Sequence, residues 1–494
     1  MKIVQVLVKQ EFLHQIHSFR FILLFVVTIM ITVLLMIANI IDFKNKFERY
    51  EEDYIYSMQN NWKTYGEIAK TVVIKPNIFE IYSKGIDKVC DRTVISWRNL
   101  PEFQESAQIK NQYLDFFTKY DISKIIEFFL SLLTFLLVAD VISREREWNT
   151  LGLIYSNRVS AMQLFISKYI ACIITIIIPL ISIFLISTIA ILFQPFIDDL
   201  NTILLKSFVL FFTSLFFISI YIFITLSISS IFNSSSGSII TSLLVWILLV
   251  IIYPNSVRYI VSFSVPIQSE EQLQLQIQQI ETSRMKIIVD YNKEELPSNL
   301  MHSIYKRDYG IPTLVGLTTT KTILAHEKQV EYLIPMWLEK QKEIQNLSES
   351  YRSSMKNQNK CISQFLVINP NYLFIKASSV FSNTDISNYE KLIEYVYQYR
   401  NQFLQYINSK DGFGIKFFTP LNKEDLKDKY SDYNEDMRNT YANIDNIPNL
   451  NLDDLPDSKF QPRNNIPFEF FILVLLNVLL FFIAMILVRK ISIN

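Results

Sequence analysis

The residues whose types and spacing most suggest a chemical role form a run of alternating charge at residues 144–147, between two hydrophobic segments. The stretch that follows carries apolar residues at helical spacing, which predicts a short amphipathic helix with the face Leu151, Ile154, Tyr155 and Val159. This combination suits binding, because charges can form ion pairs while the apolar face fills a groove on a partner. The same run can also be a solvated flank of a membrane span.

Side chains that could catalyse a reaction or hold a metal are scattered along the chain. The four histidines, His14, His17, His302 and His326, form no ligand cluster, and the three cysteines have no zinc-site spacing. The chain has only 8 glycines and no G-x-x-x-x-G-K-[ST] phosphate loop. We therefore expect no enzymatic activity and no cofactor in this chain, with any ATP and Mg²⁺ bound to a separate ATPase.

The composition predicts a membrane part joined to sizeable soluble parts. Of the 494 residues, 50% are hydrophobic, and the mean hydropathy is +0.23. A single soluble domain is less apolar than this, and an all-membrane protein is less charged. The net charge is zero, so no overall basic field indicates a nucleic-acid partner.

Six apolar segments are long enough to cross a bilayer, since about 20 helical residues at 1.5 Å each cover about 30 Å of hydrocarbon. The predicted spans are residues 21–41, 122–142, 164–193, 203–231, 238–262 and 467–488. The second is the weakest, because its uninterrupted apolar core covers only residues 128–139. The sequence predicts an α-helical integral membrane protein with six transmembrane helices, preceded by a basic amphipathic helix at residues 1–20.

Lys and Arg near the ends of the spans predict the orientation. They place both termini and the turn at residues 143–163 in the cytoplasm of a bacterial cell, with the spans in its inner or plasma membrane. Residues 42–121 and 265–466 are then extracytoplasmic.

The larger outer segment is expected to be mainly helical. Periodic apolar residues predict helices at residues 270–295, 320–360 and 385–409, with Pro335 kinking or splitting the second. Residues 443–465 are rich in Asn, Asp and Pro and predict an irregular linker. Cys90 and Cys361 are a candidate disulfide pair if the outer segments lie in an oxidising compartment.

Polar residues inside the spans admit two interpretations. Asp140 is a candidate functional carboxylate of the membrane, or it pairs with Arg144 four residues later. Hydroxyl residues of the fourth span, among them Thr213, Ser219 and Thr225, could line a translocation path or pack helices together.

The turn after the second span resembles the cytoplasmic turn of ABC-2 type transporter permeases, in which Glu-x-Glu-x-Gly-Thr-Leu precedes Leu-Leu-Ser-x-Pro-Val-Ser-Arg and a Gly-Lys. The residues here that fit are Glu145, Glu147, Thr150, Leu151, Ser156, Val159, Ser160 and Lys168. Asn149 stands where that family has Gly, Arg158 where it has Pro, and Ala161 where it has Arg.

A second resemblance lies in the outer segment. Asn369-Pro370 is followed by Ser378-Ser379, Thr384-Asp385, Tyr389 and Tyr399-Arg400. This order is similar to that of ABC-2 permeases with a large extracytoplasmic insert before the last helix, where Ser-Pro and Gly-Thr-Asp precede an aromatic helix ending in Tyr-Arg. Asn383 replaces the Gly.

The resemblance implies a permease subunit of an ATP-driven exporter. It implies two ABC ATPase subunits, a second permease copy or paralogue, membrane lipid and an exported substrate as partners. Residues 143–163 would be the coupling element, docked on the ATPase through Glu145, Glu147, Thr150 and the apolar face. The alternative is a non-transporting or mechanotransmitting anchor that displays a helical outer domain for assembly, sensing or adhesion.

Overall fold

The computed structural model describes residues 2–60, 69–73, 75–85, 92–96, 100–104, 120–157, 159–194, 200–295, 304–306, 312–314, 320–409 and 466–491. Cys90 and the predicted linker at 443–465 lie outside these ranges. Six helices are long and apolar enough to cross a membrane, which confirms the predicted fold class. They are span 1 (Phe19–Ile55), span 2 (Ile122–Glu147), span 3 (Ala161–Leu192), span 4 (Leu200–Ile231), span 5 (Ser235–Ser264) and span 6 (Phe468–Lys490).

Spans 2, 3 and 4 form the interior of the bundle, and spans 1, 5 and 6 expose apolar faces. Leu130, Leu133 and Phe135 of span 2 are fully buried, and the Phe135 ring packs edge to face on Tyr221 of span 4, with 5.3 Å between the ring centroids. Because protein instead of lipid surrounds span 2, it can carry polar residues that a lipid-exposed helix could not. This explains why its uninterrupted apolar core is short.

Span 2 consists of several pieces. Helical residues Ile122–Ile125 lead into a π-helical turn at Ile126–Leu130 and a helix at Ser131–Val138, and the chain then breaks before the short helix Ser143–Glu147. Span 5 has a second π turn, Leu248–Ile252, between the helices Ser235–Ile247 and Tyr253–Ser264. Span 3 continues as one helix through Pro179.

Three long helices dominate the outer segment, as predicted. They are Glu270–Glu295, Thr320–Leu366 and Ile386–Ser409. Thr320–Leu366 continues through Pro335 without splitting. The larger segment also contains a pair of short antiparallel strands, Ile304–Lys306 and Pro312–Leu314. The outer segment between spans 1 and 2 contains an antiparallel sheet of the strands Ala69–Val73, Arg92–Ser96 and Glu102–Gln104.

The helix Pro370–Phe381, here called the cap helix, ties the outer segment to the bundle. The Asn369 side chain accepts from the backbone N–H groups of Asn371 and Tyr372, and Pro370 occupies the first turn, a favoured helix start. Phe374 is buried and stacks on Phe217 of span 4 at 4.4 Å. The second resemblance motif therefore begins inside the membrane core.

The two outer segments meet at the end of the cap helix. The Thr384 hydroxyl donates to the Ser83 carbonyl at 2.9 Å. Gly85 has a φ of +49°, and a Cβ there would lie 2.0 Å from the Thr384 carbonyl oxygen. Only glycine fits this contact.

Candidate functional site

The charged turn forms a hub in which four consecutive side chains each bind a different element. The hub helix is Ser143–Glu147, followed by a turn helix at Thr150–Ser156. Arg144 binds the N-terminal helix (Lys2–Ile16), Glu145 binds span 3, Arg146 binds the turn between spans 4 and 5, and Glu147 binds the start of span 5. The run is therefore largely an internal connector and not only a solvated flank.

Glu11 of the N-terminal helix lies at the centre of the hub. Its side chain accepts from Arg144 Nη2 at 3.2 Å and from Lys168 Nζ at 2.7 Å. Burial by itself would raise the pKa of the Glu11 carboxyl, but the charges of Lys168 and Arg144 outweigh it and hold the pKa below its ordinary value. Glu11 is ionised at neutral pH.

Lys168 of span 3 joins the N-terminal helix to the hub helix. Its buried ammonium donates to Glu11 and, in a short contact, to Glu145. Two carboxylates therefore compensate one buried cation, which would be costly to bury alone. Next to it, Gln15 donates to Glu11 Oε1 at 3.2 Å and to Cys172 Sγ at 3.3 Å.

The sequence-based prediction of the N-terminal helix missed this role. Val4, Leu7, Val8, Phe12 and Ile16 do lie on one half-buried face, but the most buried residues of that face are Glu11 and Gln15. The signal was available, because position 11 falls at helical spacing from positions 4, 7 and 8.

Arg146 and Glu147 both hold the connection between spans 4 and 5. Arg146 Nη1 donates to Asn233 Oδ1 at 2.6 Å and to the Phe232 carbonyl at 3.4 Å. The backbone N–H of Ser235 donates to Glu147 Oε2 at 2.7 Å. A carboxylate at this helix start is well placed, since the first N–H groups of a helix have no intrahelical partner.

The predicted docking face of the turn helix is in part turned inward, while Ile154 and Tyr155 stay half-buried. Leu151 and Val159 are buried and pack with Leu164 of span 3, in a cluster completed by Leu7, Ile154 and Tyr155. The solvent side instead presents Trp148 and Leu153, which are 64% and 65% exposed. Leu151 and Val159 are thus covered by the chain itself in this arrangement, and the opposite side of the turn helix is the more exposed one.

The turn between the two short helices depends on an unusual backbone conformation. Asn149 has a φ of 58°, and Asn383 in the outer segment shares this value. Within the described part of the chain, these are the two non-glycine residues at positive φ. Both stand at the glycine positions of the family motifs, and asparagine is the residue that tolerates this region best after glycine. The Thr150 hydroxyl steadies the turn by donating to the Glu145 carbonyl at 3.1 Å.

A comparison with known families agrees with this organisation. A model of the ABC-2 family transporter protein matches residues 5–289, which is more than half of the chain and includes the whole hub. This chain is a member of the ABC-2 transporter family. No curated protein matches it significantly. An ABC-2 chain is a multi-pass permease component that associates with an ABC ATPase, and such subunits are normally not enzymes themselves.

In this ABC-2 chain, Asp140 is an ion-pair residue. Its carboxylate pairs with Arg144 at 3.8 Å, the partner expected from the i,i+4 spacing, and with Arg20 at 3.2 Å. The pair with Arg20 was not predicted, because Arg20 lies 120 residues earlier, at the start of span 1. Asp140 thus extends the hub to a fifth element.

The candidate path residues of the ABC-2 chain do not share one site. The Thr213 and Thr225 hydroxyls are buried and donate to carbonyls of their own helix, at Val209 and Tyr221. Ser219 hydrogen-bonds Tyr169 at 2.8 Å and, alone of these three residues, lines a cleft of about 350 Å³ between spans 3, 4 and 6. This arrangement favours helix packing for the two threonines.

Proposed function

We propose that this chain is the transmembrane permease subunit of an ATP-driven ABC exporter. A separate ATPase moves it through the cytoplasmic turn at residues 143–163. The observation that carries the proposal is the hub, in which residues 144–147 connect this one turn to the N-terminal helix, span 3 and the start of span 5. A displacement of the turn must reach all three.

The docking surface on the turn follows from burial. The turn exposes the large apolar side chains of Trp148, Leu153 and Met162, and the Trp148 ring lies 5.9 Å from the Arg144 guanidinium. Large aromatic and aliphatic side chains are the usual anchors of interfaces. Glu145 acts behind this surface by holding span 3, whereas Glu147 is exposed beside Trp148 and also holds the start of span 5.

The stoichiometry and orientation belong to the same proposal. Two ATPase subunits would drive this chain and a second permease copy or paralogue, with ATP and Mg²⁺ on the ATPases. Both termini and the hub would face the cytoplasm, because Lys and Arg concentrate there. The lipid-exposed faces of spans 1, 5 and 6 leave room for the second permease.

Mechanotransmission is the second candidate function, favoured by the way the outer helices join the bundle. Thr320–Leu366 has 47 residues, so it is about 70 Å long. Near its end the Phe365 carbonyl accepts from Tyr253 of span 5 at 2.7 Å, and Asn369 donates to the Leu249 carbonyl in the span 5 π turn at 2.8 Å. A movement of span 5 would therefore also move a long outer lever.

The experiment tests the docking surface with paired variants. The chain is reconstituted in liposomes with candidate ABC ATPases, and ATPase binding and stimulated hydrolysis are measured. Leu153→Asp should reduce binding at least tenfold, because a buried unpaired carboxylate costs several kcal/mol. Leu275→Asp, at a similarly exposed position of the outer helices, is the control.

Transport and lever motion are separated by a second readout in the same liposomes. Substrate flux coupled to hydrolysis supports the exporter, and hydrolysis without flux supports mechanotransmission. Full ATPase binding by the Leu153→Asp variant would refute the docking surface.

A further inference from the structure

Span 2 is interrupted in the interior of the bundle, between Val138 and Ser143. The residues of the break, including Ala139, Val141 and Ile142, are buried. A backbone break at membrane depth needs hydrogen-bond partners from the surrounding protein, because lipid offers none.

Two serines from neighbouring spans supply these partners. Ser229 Oγ of span 4 accepts from the backbone N–H of Ile142 at 3.0 Å and from that of Ser143 at 3.1 Å. Ser238 Oγ of span 5 donates to the Ala139 carbonyl in a short hydrogen bond. Both serines are fully buried.

The groups that the serines hold are the two halves of one helical hydrogen bond. In a continuous α-helix, the N–H of Ser143 would donate to the carbonyl four residues earlier, which is that of Ala139. Ser229 accepts from this donor, and Ser238 donates to this acceptor, which the Ser143 hydroxyl also reaches at 3.5 Å. Because a carbonyl oxygen can accept two hydrogen bonds, Ser229 is what diverts the N–H, and Ser238 ties the carbonyl to span 5 in the interrupted arrangement.

The local sequence does not require the break. Residues 131–147 contain neither glycine nor proline, the two residues that most often interrupt a helix. The interruption is imposed by spans 4 and 5, so a continuous helix is an accessible alternative of the same segment.

We propose that Ser229 and Ser238 are positioning residues of a two-state joint in span 2. With both hydroxyls engaged, span 2 is interrupted just before the hub helix. When spans 4 and 5 move and release them, the Ser143 N–H bonds the Ala139 carbonyl and span 2 becomes continuous. The joint itself follows from the contacts above, while its place in a transport cycle rests on the proposed function.

The test measures the distance across the joint in the full-length chain in lipid nanodiscs. Spin labels are placed on cysteines at Phe129 and Trp148, both exposed flanking positions, after replacement of the native cysteines. A continuous helix separates these positions by about 28 Å. The double variant Ser229→Ala, Ser238→Ala should raise the population at this distance. Single variants should each shift the ratio of the two forms about 3- to 30-fold, the effect of one interhelical hydrogen bond in a membrane.

The matched control is Ser214→Ala. Ser214 is a buried serine of span 4 whose hydroxyl donates within its own helix, to the Leu210 carbonyl at 2.8 Å. Its distance distribution should equal that of the unsubstituted chain. The proposal is overturned if the double variant also keeps that distribution. If the double variant does not fold, the distance distribution of Ser238→Ala alone is the test.

A second measurement separates the joint from the proposed function. ATPase stimulation is recorded with the partner ATPase for the same serine variants without spin labels, so that Trp148 is intact. A distance shift with unchanged stimulation would leave the joint intact and contradict its role in coupling. An unchanged distance would overturn the joint whatever the stimulation.

Discussion

Glu11 shows how one residue can organise a membrane protein away from its spans. Its carboxylate lies between Lys168 and Arg144, and all three side chains are largely removed from solvent. Such a group stabilises the fold only while it is ionised, since its charge is what compensates the two cations.

We expect Glu11→Gln to lower the free energy of unfolding by about 1–3 kcal/mol at neutral pH, the usual cost of an unsatisfied buried partner. The pKa of Glu11 is lower in the folded chain than in the unfolded one. Its stabilisation is therefore complete above the unfolded pKa and is lost as the pH falls through the folded pKa. The difference in melting temperature between Glu11→Gln and the unsubstituted chain should shrink with acidification.

The control for this prediction is Glu48→Gln, in an exposed pair with Lys44. Exposed pairs contribute little, so this variant should melt like the unsubstituted chain at every pH. A pH-independent deficit in Glu11→Gln would show that packing and not charge is the contribution of Glu11.

Asn149 allows a backbone prediction at the same scale. Asn149→Ala should destabilise the chain by about 1–2 kcal/mol, because alanine is strained at a φ of 58°. Asn149→Gly should be neutral or stabilising. Thermal unfolding of both variants checks the sign, and equal loss in both would mean that the asparagine side chain matters instead.

At the scale of elements, the apolar periodicity of the turn helix predicted which residues share a face but not what covers that face. Leu151 and Val159 were assigned to an ATPase groove, whereas Leu164 and Leu7 cover them. Leu7 belongs to a helix that is distant in sequence, so no local pattern could predict the contact. The long helices Glu270–Glu295 and Thr320–Leu366 were foreseen because their signals are local.

The cap helix was missed for a related reason. Its motif was recognised in the outer segment, but Phe374 packs on Phe217, and Asn371 accepts from Tyr221, both in the middle of span 4. Sequence can indicate a helix start at Asn369-Pro370, but it cannot show that the helix returns to the membrane core.

We expect Phe374→Ala to destabilise the chain by about 3–5 kcal/mol, the usual cost of removing a buried aromatic ring. Phe365→Ala, at an exposed position just before the cap helix, should cost less than about 0.5 kcal/mol. Thermal unfolding in detergent compares the two. Equal melting temperatures would show that the cap helix is not anchored in the bundle.

At the scale of the whole molecule, the positive charges near the span ends predict the orientation. In a cysteine-free background, an impermeant thiol reagent applied to intact cells should label Ser350→Cys in the outer helices. It should not label Ser156→Cys on the turn helix until the cells are permeabilised. Both positions are exposed, so accessibility of the side chain is matched. The reverse labelling pattern would invert the orientation and remove the hub from the cytoplasm.

The hub also sets an order of biogenesis. Glu11 precedes its partner Lys168 by 157 residues in the chain. The N-terminal helix therefore has no ionic partner in span 3 until that span emerges. The partners of Arg146 and Glu147 are made later still, since Asn233 lies in the turn before span 5 and Ser235 at its start. A nascent chain that stops before span 5 leaves Arg146 and Glu147 without these hydrogen-bond partners, so the hub is complete only once the chain has been made as far as the start of span 5.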